Sequence, residues 1–158
     1  IAANRLDRVD VYRASDYTRV AKLELPSIPS HIAYSADSKM AFVTLQGSGQ
    51  LAAIDLATMK TAWQLPVGRT PAGVVMTPDD RHLLVGVMED NNVVAIDWRA
   101  RKIVKRLPTG GGAHNLYQGT DGARYVWVYD LLLQINRDKI EMDTLLDNIC
   151  CPEEAHFQ

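Results

Sequence analysis

Apolar positions along this chain come in blocks. From about residue 30 to residue 129 they form bursts of four to six, rich in Val, Ile, Leu and Ala, as in "MAFVTL", "LAAID", "HLLVGV" and "NVVAID". Between the bursts stand polar clusters that carry turn chemistry: "SADSK", "TPDDR" and "GTDGA", then "GSGQ" and "EDNN". Bursts of this length are too short for an amphipathic helix, and close turn punctuation marks them as antiparallel strands.

The blocks recur. "LAAIDLATMK" at 51–60 aligns with "VVAIDWRARK" at 93–102, and "SIPSHIAYSADSKMAFVTL" at 27–45 with "RTPAGVVMTPDDRHLLVGV" at 69–87, each at an offset of 42. A third copy is "GGAHNLYQGTDGARYVWVY" at 111–129, and "RVDVYRASDYTRVAKLELP" at 8–26 supplies part of an earlier one. Four strands in a unit of this period fit a propeller blade of WD40-like size. The expected inner strands cover about 31–35, 73–76 and 114–118; second strands 40–45, 82–88 and 124–129; third strands 8–12, 50–55 and 92–97; outer strands 19–25, 61–65 and 103–107. The fold class expected is therefore all-β, an array of about three four-stranded blades over residues 1–129. Val43, Val74, Leu83, Val85, Val94 and Ile96 are expected to be buried between sheets.

The pattern changes after Tyr129, where "YDLLLQ" lacks the Gly or Asn that turns the earlier hairpins. In "DLLLQINRDKIEMDTLLDNI" the apolar residues fall on one helical face, with Asp130 as a cap and Cys151-Pro152 as a stop. Residues 130–158 are thus expected to be a non-repeat tail with a C-terminal helix over 131–149. The other reading is a degenerate fourth blade, with "LLLQIN" as its strand. Propellers usually close with four to eight blades. About three blades therefore imply a piece of a longer protein or a ring closed by self-association, and the start at Ile1 agrees with a piece.

The formal net charge of −2 excludes a general nucleic-acid footprint. No apolar run reaches membrane-spanning length, and no secretory signal stands at Ile1. The adjacent thiols Cys150 and Cys151 make no disulfide framework. "WRARKIVKR" at 98–106 gathers five basic residues, and its alternation places it on a solvated outer strand. Trp63, Trp98 and Trp127 are expected to pack between blades, and Asp37, Asp79, Asp121, Asp55 and Asp97 to cap turns through their own backbone.

The strand–turn–strand "TPDDRHLLVGV", the hairpin "NNVVAID" and the exits "LPVGRTPAG" and "LPTGGGAHN" make residues 3–129 resemble the YVTN-type propeller family. That family is related to the d-type haem propeller of nitrite reductases. The resemblance implies the propeller architecture, an exported or periplasmic location, and a cofactor role as one alternative.

The candidate chemistry lies in "PTGGGAHN". A phosphate loop would continue with Lys-Ser/Thr into a helix, whereas here Ala113 and His114 open a strand, so the glycines serve an inter-blade crossing. His114 then enters an inner strand near the channel mouth. The 42-residue register matches it to Ala72 and Ser30, with His31 one residue further on. Both histidines are placed near that mouth, although a one-residue offset in regular strands would turn them to opposite faces. Imidazole there suits haem or a metal; the plain alternative is a ring bonded to a backbone carbonyl. His82 is expected to face solvent, and His156 has no visible partner. Neither GxSxG, HExxH nor CxxC occurs.

Three functions follow as expectations. The first is a non-catalytic binding or scaffold propeller that presents inter-blade loops to a protein or small-molecule ligand. The second is a d-type-haem-like cofactor propeller with His114 or His31 as axial ligand. The third is a propeller hydrolase or lactonase with a channel-mouth metal, for which the inner-strand starts supply few oxygen ligands.

Overall fold

A computed structural model of the chain describes residues 1–118 and the strand 125–129. Its elements are β1 (Ala2–Ala3), a 3-10 turn (Asn4–Leu6), β2 (Arg8–Tyr12), β3 (Arg19–Glu24), β4 (Pro29–Tyr34), β5 (Met40–Leu45), β6 (Gln50–Asp55) and β7 (Lys60–Pro66). Then come β8 (Pro71–Met76), β9 (His82–Val87), β10 (Asn92–Asp97), β11 (Lys102–Pro108), β12 (Ala113–Gln118) and β13 (Tyr125–Tyr129). Every strand expected from the sequence is present within a residue or two. The proposed tail helix, Asp121, Cys150, Cys151 and His156 lie outside the described residues.

The strands form sheets by sequential antiparallel pairing: β1-β2-β3, β4-β5-β6-β7, β8-β9-β10-β11 and the pair β12-β13. The two four-stranded sheets are complete blades. The first sheet holds the third and outer strands of its unit, with β1 as the end of a second strand: Ala2 and Ala3 fall 42 residues before Thr44 and Leu45.

The blocks of continuous apolar residues are explained by burial on both faces, since alternate side chains of one strand enter different interfaces. Phe42, Leu51 and Ala53 of the second sheet meet Val74, Leu83, Val85, Val94 and Ile96 of the third. The intervening Ala41, Val43, Ala52 and Ile54 point the other way, onto Val9, Leu23 and Leu25 of the first sheet. In the third sheet Leu84, Val93 and Ala95 face Leu116 and Ala113. All six residues expected in the core are buried. Phe42 also touches Trp63 of its own blade and Trp98 of the next, with centroids 6.0 and 5.2 Å apart.

The turn aspartates act as caps. Asp37 Oδ1 accepts from the Ser35 hydroxyl and the Lys39 amide, and Asp79 Oδ1 from the Thr77 hydroxyl and the Arg81 amide. Asp55 and Asp97 each accept two amides from the turn that follows. In the basic stretch Arg99, in the turn before β11, pairs with Asp80 and lies over Trp98; on β11 Arg106 donates to the Val67 carbonyl at 2.7 Å, and Lys102 is exposed. His82 departs from expectation. It is half-buried, and its Nδ1 is enclosed with no hydrogen-bond partner among the described residues. The residue opens β9 opposite Asp97, with its backbone N–H and C=O both tied to Thr77, and this holds the ring against the sheet.

Candidate functional site

The inner strands β4, β8 and β12 lie side by side, and the chain enters each through a tight crossing from the preceding outer strand. The crossing needs a left-handed residue one position before the strand. Gly112 takes it with φ +70°, but Thr70 and Ile28 occupy the same place in the other copies, with φ 54° and 60°. Glycine thus relieves the strain in only one of three crossings.

Just inside each inner strand the ladder slips. Pairing jumps from Pro29↔Leu45 to Ile32↔Val43, from Pro71↔Val87 to Val74↔Val85, and from Ala113↔Tyr129 to Asn115↔Val128. Each inner strand therefore carries one extra residue there, a β-bulge, and bulges re-aim side chains. His31 lies in the first bulge, Gly73 in the second, and His114 is the extra residue of the third.

The bulges bring the two histidines together. The His31 and His114 rings have centroids 5.5 Å apart and planes at 84°. Strict alternation would have parted them, and the extra residues break that alternation. On β8 between them stands Gly73, the register partner of His31, whose missing side chain leaves room: a Cβ there would lie 2.5 Å from the His114 carbonyl oxygen and 2.9 Å from Asn115 Cα. Gly86 on β9 allows the same close approach, since its Cβ would meet the Ala113 carbonyl oxygen at 2.7 Å.

The equivalent of Gly86 one blade earlier is Thr44. Its fully buried hydroxyl donates to the Ala72 carbonyl at 2.7 Å and accepts the His31 amide at 3.1 Å. One blade contact is bridged by a hydroxyl, and the next is closed by direct approach of backbone. The 42-residue register pairs 44 with 86 and 31 with 73, but a sequence gives no reason to read these four residues as one arrangement until the bulges are seen.

Among the described residues neither imidazole hydrogen-bonds a carbonyl or carboxylate. Both rings are half-buried. Burial first, and the neighbouring His114 second, hold the His31 pKa below its ordinary value. At His31 the environment therefore disfavours the protonated ring. Among the described residues no three His, Cys, Asp or Glu side chains converge, and no helix is long and apolar enough to cross a membrane.

A separate apolar cavity of about 280 Å³ lies between the first and second sheets, lined by Val9, Leu23, Ile32, Val43 and Ile54 among others. Its one carboxylate, Asp10, is bound by Arg8 and Arg19.

Blades of four antiparallel strands, stacked face to face with their inner strands adjacent, define a β-propeller. The chain belongs to the YNCE-like beta-propeller family, whose model matches residues 1–154. Two solved structures share the fold. Kuenenia stuttgartiensis hydrazine synthase has a TM-score of 0.76 at 21% identity, covering 83% of this chain and 38% of that one. Apo AztD from Citrobacter koseri has a TM-score of 0.58 at 18% identity, covering 69% and 31%. The match thus spans well under half of either relative. No curated protein matches the chain.

Proposed function

We propose that this chain is part of a non-catalytic binding propeller whose inner-strand rim, centred on His31 and His114, receives a ligand or a protein partner. The observation that carries this reading is the convergence of two imidazoles from strands two blades apart, across a glycine, with no protein hydrogen bond on either ring among the described residues. Two half-buried imidazoles held together at a rim suit recognition. An exported location, as the YVTN-type resemblance implies, belongs to the same reading.

The haem alternative meets a geometric limit. Two imidazoles flanking one iron at metal–nitrogen distances of about 2.0 Å would hold their centroids about 6.4 Å apart. At 5.5 Å and edge-on the two rings do not flank one iron, so a haem here would take His114 or His31 alone as its axial ligand.

The test is a thermal-shift survey of the full chain with three probe sets: divalent metal chlorides, inorganic phosphate, and small carboxylates. A rise in melting temperature with at least one probe, lost in the His31→Ala/His114→Ala double variant, is the expected result. Shifts that persist in the double variant, or no shift with any probe, overturn the proposal.

A further inference from the structure

We infer that His31 and His114 together form a binding site for a borderline divalent transition-metal ion, such as Zn²⁺, Ni²⁺ or Cu²⁺, with water completing its coordination. This rests on the binding-rim reading and names its ligand class.

Geometry is the first support. Two imidazoles on one tetrahedral ion, with metal–nitrogen distances of about 2.0–2.1 Å, set their ring centroids about 5.2 Å apart. The observed separation is 5.5 Å. The angle of 84° between the planes is compatible, because each imidazole binds a metal in its own plane and turns freely about the metal–nitrogen bond. The centroid separation is thus within about 0.3 Å of that of a bidentate pair.

Construction is the second support. His31 is fixed through its amide to the buried Thr44 hydroxyl, which also holds the neighbouring blade at the Ala72 carbonyl. His114 is fixed by the close approach of β12 to Gly73 and Gly86. Both ligands therefore stand on strands whose relative position is set by packing, which limits the entropy lost on binding. Both rings keep their nitrogens clear of protein hydrogen bonds among the described residues.

Chemistry is the third. A metal takes imidazole in its neutral form. Imidazole suits Zn²⁺, Ni²⁺ and Cu²⁺, whereas Mg²⁺ and Ca²⁺ take oxygen ligands.

The experiment is isothermal titration calorimetry of the full chain at pH 7.5, in a Cys150→Ser/Cys151→Ser background so that thiolates do not contribute. ZnCl₂, NiCl₂, CuCl₂ and MgCl₂ are the probes, and Co²⁺ absorption supplies a second readout. The expected result is one ion per chain, affinity rising from Co²⁺ through Ni²⁺ to Cu²⁺, and no heat with Mg²⁺. His31→Ala and His114→Ala should each weaken binding about tenfold or more, since a whole coordination bond is lost, while His82→Ala leaves it unchanged. Gly73→Ala, which forces β12 away, should weaken binding with both imidazoles still present; circular dichroism checks that each variant folds. No transition-metal binding, or binding that survives both histidine substitutions, overturns the inference. If phosphate or a carboxylate still binds in a histidine-dependent way while metals do not, the binding-rim reading stands and the metal assignment falls.

Discussion

Ile28 shows what the repeat demands of single residues. Its φ of 60° is a left-handed conformation that costs a β-branched residue about 1–2 kcal/mol. The surrounding structure holds it there: its amide donates to Asp7 and its carbonyl accepts from Gln46, as the Thr70 carbonyl accepts from Met88. Ile28 is 41% exposed, so more than half of it is still removed from water. Ile28→Gly relieves the strain but loses that burial and adds unfolded-state entropy, so it should cost no more than about 1 kcal/mol, well below the usual cost of truncating a partly buried Ile. A urea melt showing a loss above about 2 kcal/mol would contradict this. His31 supplies a pH prediction of definite sign. Its folded pKa lies below the unfolded value of about 6.5, so the unfolded chain binds the proton first. Stability should be level above that pH, fall as pH drops through about 6.5 toward the lower folded pKa, and level off once His31 itself titrates. His31→Gln should remove this component. The turn carboxylates act in a separate, more acid window. Asp37 is lowered chiefly by the Ser35 hydroxyl and Asp55 by the Thr58 amide, so both lose their contribution only as pH falls below about 3.8.

At the scale of elements, the inner strand is where a regular pattern and a specific site meet. Gly86→Ala would place a Cβ 2.7 Å from the Ala113 carbonyl oxygen, against backbone that has no rotamer to change. The substitution should cost about 1–3 kcal/mol, as overpacking does, and should shift the His114 ring resonances by displacing β12. Unchanged ring shifts would mean that β12 does not depend on this approach. Strand positions were legible in the sequence because both faces of each blade are buried and because Asp-capped turns punctuate them. The inner-strand starts were legible too, through the Leu-Pro exits and the glycines before His114. The meeting of His31 with His114 was only half legible. Register placed both residues at one end of blades two apart, but alternation argued for opposite faces. The bulge that decides the matter has no signature in "PSHIAY" or "GAHNLY", because it depends on how many residues face the partner strand. Gly73 carried a signal, a glycine inside an apolar strand pattern, which marks a bulge or a close backbone approach. His82 failed for a related reason: its neighbours "DDR" suggested exposure, while its backbone bonds to Thr77 draw it inward.

For the whole molecule, stability is divided among sheet-to-sheet interfaces that meet only through the sheets between them. Ile54 belongs to the cluster joining the first and second sheets, and Ile96 to the one joining the second and third. Both are fully buried, with 1% and 0% exposure. Ile54→Ala and Ile96→Ala should each cost about 2–5 kcal/mol, the range for a large-to-small change in a packed core. They share no cluster, since alternate residues of the second sheet serve opposite faces, so their effects should add within about 0.5 kcal/mol. Phe42 lies in the same cluster as Ile96 and meets Trp98 of the neighbouring blade edge-on. Phe42→Leu combined with Ile96→Ala should therefore depart from additivity by about 0.5–3 kcal/mol, because the two vacancies relax into one another. Urea melts of the three single and two double variants, at matched slope, measure both terms. A strong coupling between positions 54 and 96 would mean that the interfaces yield as one unit, and the nearest-neighbour behaviour expected of a repeat array would not describe this propeller.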